Sequence, residues 1–415
     1  METSPAMPPH RLDPAGGCPH AGNARLLARG AVTPVELPGG IVGAAVLGHE
    51  ALREFLQHPD VAKNARHFTA LREGRIAQGW PLLTFATVAG MTTADGADHR
   101  RLRSLVSRAF TPRRAEELRP RVEELTESLL DALAVAATAG GGVADLRRHF
   151  ALPLPMGVIC ELLGVEAGFR DRLHRLSSRI VATDTEPAEA VAANRELLAV
   201  LGEIAAAKAA APGDDLTSAL IAAQDEDGDR LSPQELIGTL VLMIIAGHET
   251  TLNLITNAVR ALCGHRDQLD LVRAGGASWA DVVEETLRWD APVSYFPFRY
   301  PVRDLTLAGT LIPAGTPVLA GYSAAGRDEA AHGPDAGRFD VTRPARPGSV
   351  RHLSLGHGAH YCLGAPLARL EATVALERLF TRFPGLELAV PDAELSPHAG
   401  FVGNSVRALP VRPAP

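Results

Sequence analysis

The sequence predicts a mainly α-helical fold with a minor β part, built as one large domain. Three observations carry this. Long stretches keep helical periodicity between clear start and stop signals, the strand-like pieces are short, and no linker interrupts the interior of the 415 residues. Residues 1–20, rich in Pro and Gly, are expected to be a flexible arm, and 21–415 the domain. "AVTPVELPGGIVGAAV" (32–47) reads as a hairpin turning at Pro38-Gly39-Gly40. "GADHRRLRSLVSRAF" is a helix, and Pro112 is expected to open one long second helix that ends at Gly140–Gly142. Residues 167–211 read as two Ala-rich surface helices joined around Thr185-Glu186-Pro187 and able to move.

The sharpest start signal precedes "PQELIGTLVLMIIAGHETTLNLITNAVRALCG". Ser232 is a good N-cap, Pro233 suits the first helical position, and Glu235 completes a capping box. With Gly264 as its stop, the rod is roughly 46 Å long. It is apolar on nearly every side through Ile245, which places it in the core. A short helix, "SWADVVEETLRWD", follows. Then come strand pieces at Tyr295–Tyr300, Leu305–Leu307 and Pro317–Gly321, irregular coil over 326–352, a helix over 364–382 and a closing hairpin near 386–411.

Composition narrows the function. A net charge of −7 without a basic tract argues against nucleic acid, and the cationic side chains are nearly all arginine, Lys63 and Lys208 being the two lysines. The start lacks the charged and apolar regions of a signal peptide, and the longest apolar run, 236–247, is shorter than the roughly 20 residues a bilayer requires. Cys18, Cys160, Cys263 and Cys362 are widely spaced, so a reduced, cytoplasmic protein with no membrane partner is expected.

Four elements carry chemistry. In "LSLGHGAHYCLGAPLARLEATVALERLF", Cys362 stands just before a helix that Pro366 helps begin, where N–H groups and the helix dipole favour a thiolate. Gly356, Gly358 and Gly364 permit turns and close backbone approach. A buried free cysteine and a zinc site from His357, His360 and Cys362 remain alternative readings, although structural zinc needs a fourth ligand. "AGHETT" (246–251) sets Glu249 and Thr250 inside a buried apolar rod, with Thr250 placed to bond back to the Ala246 carbonyl. An acid beside a hydroxyl in such a groove suits proton delivery to a buried site. "EETLR" puts Glu285 and Arg288 on one helix face, and "DHRRLR" does so for His99 and Arg103.

Taken together these motifs resemble the cytochrome P450 family over nearly the whole chain. The resemblance implies a P450 fold around a buried haem b, with Cys362 as the axial thiolate on iron and Gly356 in the haem loop. His360, His99, Arg103 and Arg299 would serve the haem propionates, Met91 and Ala246 would touch the haem, and Glu249 and Thr250 would deliver protons for dioxygen reduction. Glu285 and Arg288 would be structural, with Arg343, downstream of Arg338 in "RFDVTRP", as their arginine partner. Leu355 stands where the family usually has an aromatic, a change expected to shift redox potential. Gly326 stands where asparagine is common, expected to be a minor local change.

The implied activity is a haem-thiolate monooxygenase that inserts one oxygen atom from O2 into a bulky apolar small molecule. A secondary metabolite such as a polyketide or macrolide, or a steroid-like compound, is expected. The alternative within the family is oxidative C–C or C–N coupling or ring formation, for example of cyclodipeptides. The substrate pocket is expected from Leu83, Phe85, Ala86 and Val88; from Leu242 and Ile245; from Val293, Ser294, Tyr295 and Phe296; and from Phe401 and Val402. The chain carries no flavin, nicotinamide or ferredoxin-type cysteine motif. Electrons are therefore expected from a separate ferredoxin and ferredoxin reductase, steered to a monomer by Arg100, Arg101, Arg108, Arg113, Arg351 and Arg369 near the thiolate face.

Overall fold

The computed structural model describes residues 8–414 apart from 14–15, 78, 108–109, 182–185, 224–227 and 229. It is mainly helical with a minor β part. The 32–47 hairpin forms as expected, Val32–Leu37 pairing antiparallel with Ile41–Val46 across the Pro38–Gly40 turn. It lies within a six-stranded sheet ordered His10–Arg11, Val32–Leu37, Ile41–Val46, Val318–Gly321, Tyr295–Pro301, Val61–Ala62. The expected arm is partly structured. His10–Arg11 pairs with Val35–Glu36, and a helix begins at Pro19, inside the 1–20 boundary. Its His20 bonds Asp290 at 2.7 Å, a contact 270 residues away that no local signal announces.

One further expectation is corrected. The helix opened by Pro112 stops at Glu117, and a second runs Arg119–Ala139. Pro120, at the start of the second, has no N–H to continue the first helix's hydrogen-bond ladder. The piece at Leu305–Leu307 pairs with Thr310–Ile312, a strand of three residues too short to show a period. Thr185, in the junction between the two Ala-rich helices (Arg170–Val181 and Pro187–Ala210), lies outside the described residues.

The central helix spans Pro233–Gly264, and both halves of the Ser232–Glu235 capping box are present. Its length and hydropathy are those of a membrane-crossing helix, yet here neighbouring helices bury it. It packs against Pro153–Leu162, Trp279–Trp289 and Ala365–Arg382. At Gly238 a Cβ would lie 1.6 Å from the Ala89 carbonyl oxygen, so only glycine lets the loop before the His99 helix (Gly96–Ser107) come this close. In the sheet, the pairing of Tyr295–Pro301 with Val318–Gly321 shifts register between Phe296 and Arg299. Residues three apart on a regular strand face opposite sides. The irregularity turns both side chains onto one cavity.

Candidate functional site

Cys362 sits on a tight loop two residues before Gly364, the N-cap of Ala365–Arg382. The loop is closed by Gly356 N–H donating to Leu353 O (2.7 Å) and Cys362 N–H donating to Leu355 O (2.8 Å). Gly356 takes φ +78°, with the His360 carbonyl 3.3 Å from where a Cβ would stand. Leu355 is half-buried against the main helical core. Burial lifts the Cys362 thiol above its ordinary value and outweighs the N–H groups of Gly364 and Ala365 and the charges of Arg103 and Arg369. A metal cation opposite the sulfur is what makes such a group a thiolate.

Between this loop and the central helix lies a cavity of about 1540 Å³. Cys362, Leu355 and Gly356 line one side, and Ala246, Gly247 and Thr250 the other, with Met91, His99, Arg103, Arg299 and His360 also on its wall. That wall carries several basic groups with few acids to match. Arg299 is nine-tenths buried, its side chain makes no hydrogen bond among the described residues, and burial holds its pKa below the usual arginine value. The buried Nε2 of His99 has no partner. His99 and His360 meet at a tilt of 39° with ring centroids 4.0 Å apart, and burial together with Arg299 takes His360 down to about 2. Arg103 donates to the Tyr361 carbonyl at 2.7 Å, on the cysteine loop. Asp95, the acid nearest Lys63, instead accepts backbone N–H groups of Lys63 (2.7 Å) and Asn64 (2.9 Å). A broad cavity with a soft ligand on one wall and unpaired buried cations at its edge fits a flat metal macrocycle bearing carboxylates. The residues therefore fit a haem.

The zinc alternative fails on geometry. His357 turns away to Gln57 Oε1 (3.1 Å) and the His360 ring packs at a tilt against His99. Among the described residues, these side chains do not converge into a metal-binding group.

On the central helix, Thr250 Oγ1 donates to Ala246 O at 2.8 Å, the back-bond its spacing implied. Glu249 points elsewhere. Its carboxylate meets Arg147 (3.5 Å), His248 (3.5 Å) and His398 (3.6 Å) and accepts from Ser178 Oγ (3.3 Å). Burial pushes the carboxyl up, but His248, Arg147 and His398 outweigh it and hold Glu249 below the ordinary carboxylate value. No hydrogen bond joins Glu249 to Thr250.

Glu285 and Arg288 form a buried bidentate pair (2.7 and 2.8 Å). Arg343 stands 3.5 Å from the same carboxylate, whereas Arg338 contributes its carbonyl to Arg288. Gly326 is more than a minor local change. Its carbonyl accepts from Arg288 at 2.7 Å, and a Cβ there would lie 2.0 Å from Arg288 O, so this backbone leaves no room for asparagine.

A second cavity of about 940 Å³ adjoins the first at Ala246 and Thr250. Of the expected pocket residues, Phe85, Val88, Leu242, Ile245, Val293, Phe296 and Val402 line it. Leu83, Ala86, Ser294, Tyr295 and Phe401 do not. Leu83 and Ala86 lie on the other side of the short helix Leu83–Thr87 and pack in the sheet-side core. Ser294 is buried, its N–H given to Val402 O. Tyr295, facing opposite to Phe296, bonds Asn23 and packs edge-on against Phe401. Sequence reasoning missed Lys63, Ile180, Val241, Asn253 and His398. Val241 and Asn253 lie one turn from Ile245 and Thr250, so helical spacing could have found them. The others come from distant segments.

Comparison with known proteins agrees with this geometry. A family model described as Cytochrome P450 matches residues 280–401. The chain is 39% identical to 2-hydroxy-5-methyl-1-naphthoate 7-hydroxylase of Streptomyces carzinostaticus, covering 98% of this chain and 97% of that protein. It is 41% identical to vitamin D(3) 25-hydroxylase of Pseudonocardia autotrophica over 96% and 94% of the two chains. It superposes on testosterone-bound CYP154C4 from Streptomyces sp. ATCC 11861 with a TM-score of 0.93 and 42% identity, covering 98% and 99%.

Proposed function

The chain belongs to the cytochrome P450 family and is a haem-thiolate monooxygenase, and we propose that it hydroxylates a rigid, largely apolar secondary metabolite of steroid or polyketide size. The observation that carries this is the second cavity. Its walls include the apolar side chains of Phe85, Val88, Leu242, Ile245, Val293, Phe296 and Val402, and it opens at Ala246 and Thr250 onto the cavity that holds Cys362. Apolar walls bind by removing hydrocarbon from water, at roughly 25 cal/mol per Å². Among the polar groups on them, Lys63, Asn253 and His398 would orient a hydroxyl or carbonyl of the substrate. The relatives that act on a naphthoate and on vitamin D3, and the one that holds testosterone, support a fused-ring substrate.

When bound through Cys362, the haem supplies the two-electron activation of dioxygen. The protein's own groups do the rest. Arg103, Arg299, His99 and His360 would hold the haem carboxylates, because that edge of the cavity is cationic and underpaired. Thr250 holds a proton at Oγ1 beside the shared wall of the two cavities. Glu249, ionised and screened from solvent, can take up a proton and release it towards Thr250 only by swinging or through water. Arg147, too basic to give up its own proton, tethers it in the resting position. Electrons would come from a separate ferredoxin and its reductase, and the basic face for them is smaller than expected. Arg101, Arg113 and Arg369 are paired with Glu235, Glu117 and Glu284, and Arg108 lies outside the described residues. Arg100 and Arg351 stay exposed on that side.

The test is a panel of steroids, fused-ring aromatics and macrolactones, screened for the blue shift of the Soret band that follows displacement of water from haem iron. Hits are then turned over under ¹⁸O2. Product heavier by one ¹⁸O supports the proposal. Product lacking two hydrogens and carrying no label would replace it with oxidative coupling.

A further inference from the structure

A cluster of histidines and a carboxylate lies beside the second cavity, whose wall includes Glu249. His248 is fully buried on the central helix, and His174 and Ser178 face it from Arg170–Val181. We propose that His174 Nδ1, His248 Nε2 and one oxygen of Glu249 form a binding site for a single Zn²⁺ ion, with the Ser178 hydroxyl or a water as fourth ligand.

The three donor atoms lie within 4.8 Å of one another. His174 Nδ1 is 3.1 Å from His248 Nε2, and His248 Nε2 is 3.5 Å from Glu249 Oε2. Ser178 Oγ stands 3.4 Å from His174 Nδ1 and 3.3 Å from Glu249 Oε2. As hydrogen bonds, three of these four are long against the usual 2.7–3.2 Å. As edges of a tetrahedron they fit, since zinc bonds of ~2.0–2.1 Å place neighbouring ligands about 3.3 Å apart. His248 is also oriented as zinc ligands commonly are. Its Nδ1 meets the Ile244 carbonyl at 2.7 Å, which places the proton there and turns the Nε2 lone pair inward. Burial keeps both imidazoles neutral, His174 at about 4, so neither needs to lose a proton before it can coordinate.

Charge sets the strength. Arg147 and His398 contact the other oxygen of Glu249 and leave Oε2 to the cluster. The arginine's charge opposes the ion, so micromolar rather than nanomolar affinity is expected. His174 and Ser178 are only partly buried and give the ion its way in. An ion here would anchor Arg170–Val181 to the central helix and hold Glu249 still.

The test is calorimetric titration of untagged, haem-loaded, chelator-treated protein with ZnCl2, without substrate or electron donor, so its outcome is independent of the monooxygenase reading. One ion per chain at micromolar Kd is expected, weakened at least tenfold in His174→Ala and in His248→Ala. The absorption band of the reduced, CO-bound protein reports that each variant is folded. His174→Gln, which keeps the volume, serves if the alanine variant loses that band. Cys18→Ser removes the exposed thiol as a rival ligand and should leave binding intact. Absence of binding tighter than 100 µM, binding that survives both histidine variants, or binding lost with Cys18 would each overturn the proposal.

Discussion

Replacing Arg288 with alanine should leave the chain unable to hold its fold at growth temperature. The guanidinium makes five hydrogen bonds: two to Glu285, at 2.7 and 2.8 Å, and one each to the carbonyls of Gly326 (2.7 Å), Ala336 (2.7 Å) and Arg338 (2.9 Å). Both side chains are almost wholly buried, 4% and 1% exposed. Removing one partner of a buried pair costs about 3–5 kcal/mol, because the other charge stays desolvated. Each orphaned carbonyl adds roughly 1 kcal/mol or more. The sum, about 6–8 kcal/mol, is comparable with the 5–15 kcal/mol that holds a typical protein together. Arg343, 3.5 Å from Glu285, keeps the carboxylate from being wholly unpaired and places the cost at the lower end. The assay is soluble yield and haem content, followed by urea unfolding of whatever is recovered. A Glu285→Leu/Arg288→Leu double variant should be less damaged than Arg288→Ala, since no lone charge remains. Arg288→Ala protein with wild-type haem content and an unfolding free energy within about 2 kcal/mol of wild type would refute this reasoning.

Thr250→Ala should leave NADPH consumption within a few-fold of wild type while product per NADPH falls about tenfold and hydrogen peroxide rises. Unchanged coupling would remove Thr250 from proton delivery. Arg299→Leu should speed haem transfer to apomyoglobin only modestly. Arg299 is one cause holding buried Lys63 down at about 7, so without it Lys63 charges more readily and substitutes in part. Arg299→Leu/Lys63→Met should lose haem much faster than either single variant, and strict additivity would contradict that compensation. Glu371, fully buried on the Ala365–Arg382 helix, is raised by burial to about 8. Between pH 4.5 and 8 the folded chain keeps that proton while the unfolded chain releases it, so this group lowers stability as pH rises, by up to ~1.4 kcal/mol per unit. Glu371→Gln should therefore gain stability over wild type at pH 8 and gain none at pH 4.5, as read by urea midpoints. Reduction by ferredoxin should slow with salt, and more weakly still in Arg100→Ala/Arg351→Ala. A flat salt response would dismiss electrostatic steering.

The parts of this protein legible in its sequence are those decided within a few residues. The Ser232–Glu235 capping box, the Thr250 bond to Ala246, the Glu285–Arg288 pair and the glycine-shaped loop around Cys362 each join groups within a few positions along the chain, where helix and turn geometry leave little choice. Pattern also sufficed for the fold class, because an apolar rod as long as Pro233–Gly264 has to be buried. Tertiary structure decided what depends on remote segments. It gave Glu249 the partners Arg147, Ser178 and His398, and it brought Lys63 and Arg299 together. It made Gly326 a necessity by pressing it against Arg288. It also set Phe296 and Arg299 on one cavity, through a register shift that no periodicity encodes. Burial pulls the Cys362 thiol up against the opposite pull of its helix terminus, since the desolvation of a charge depends on everything packed around it, while a helix terminus acts only on its nearest neighbours.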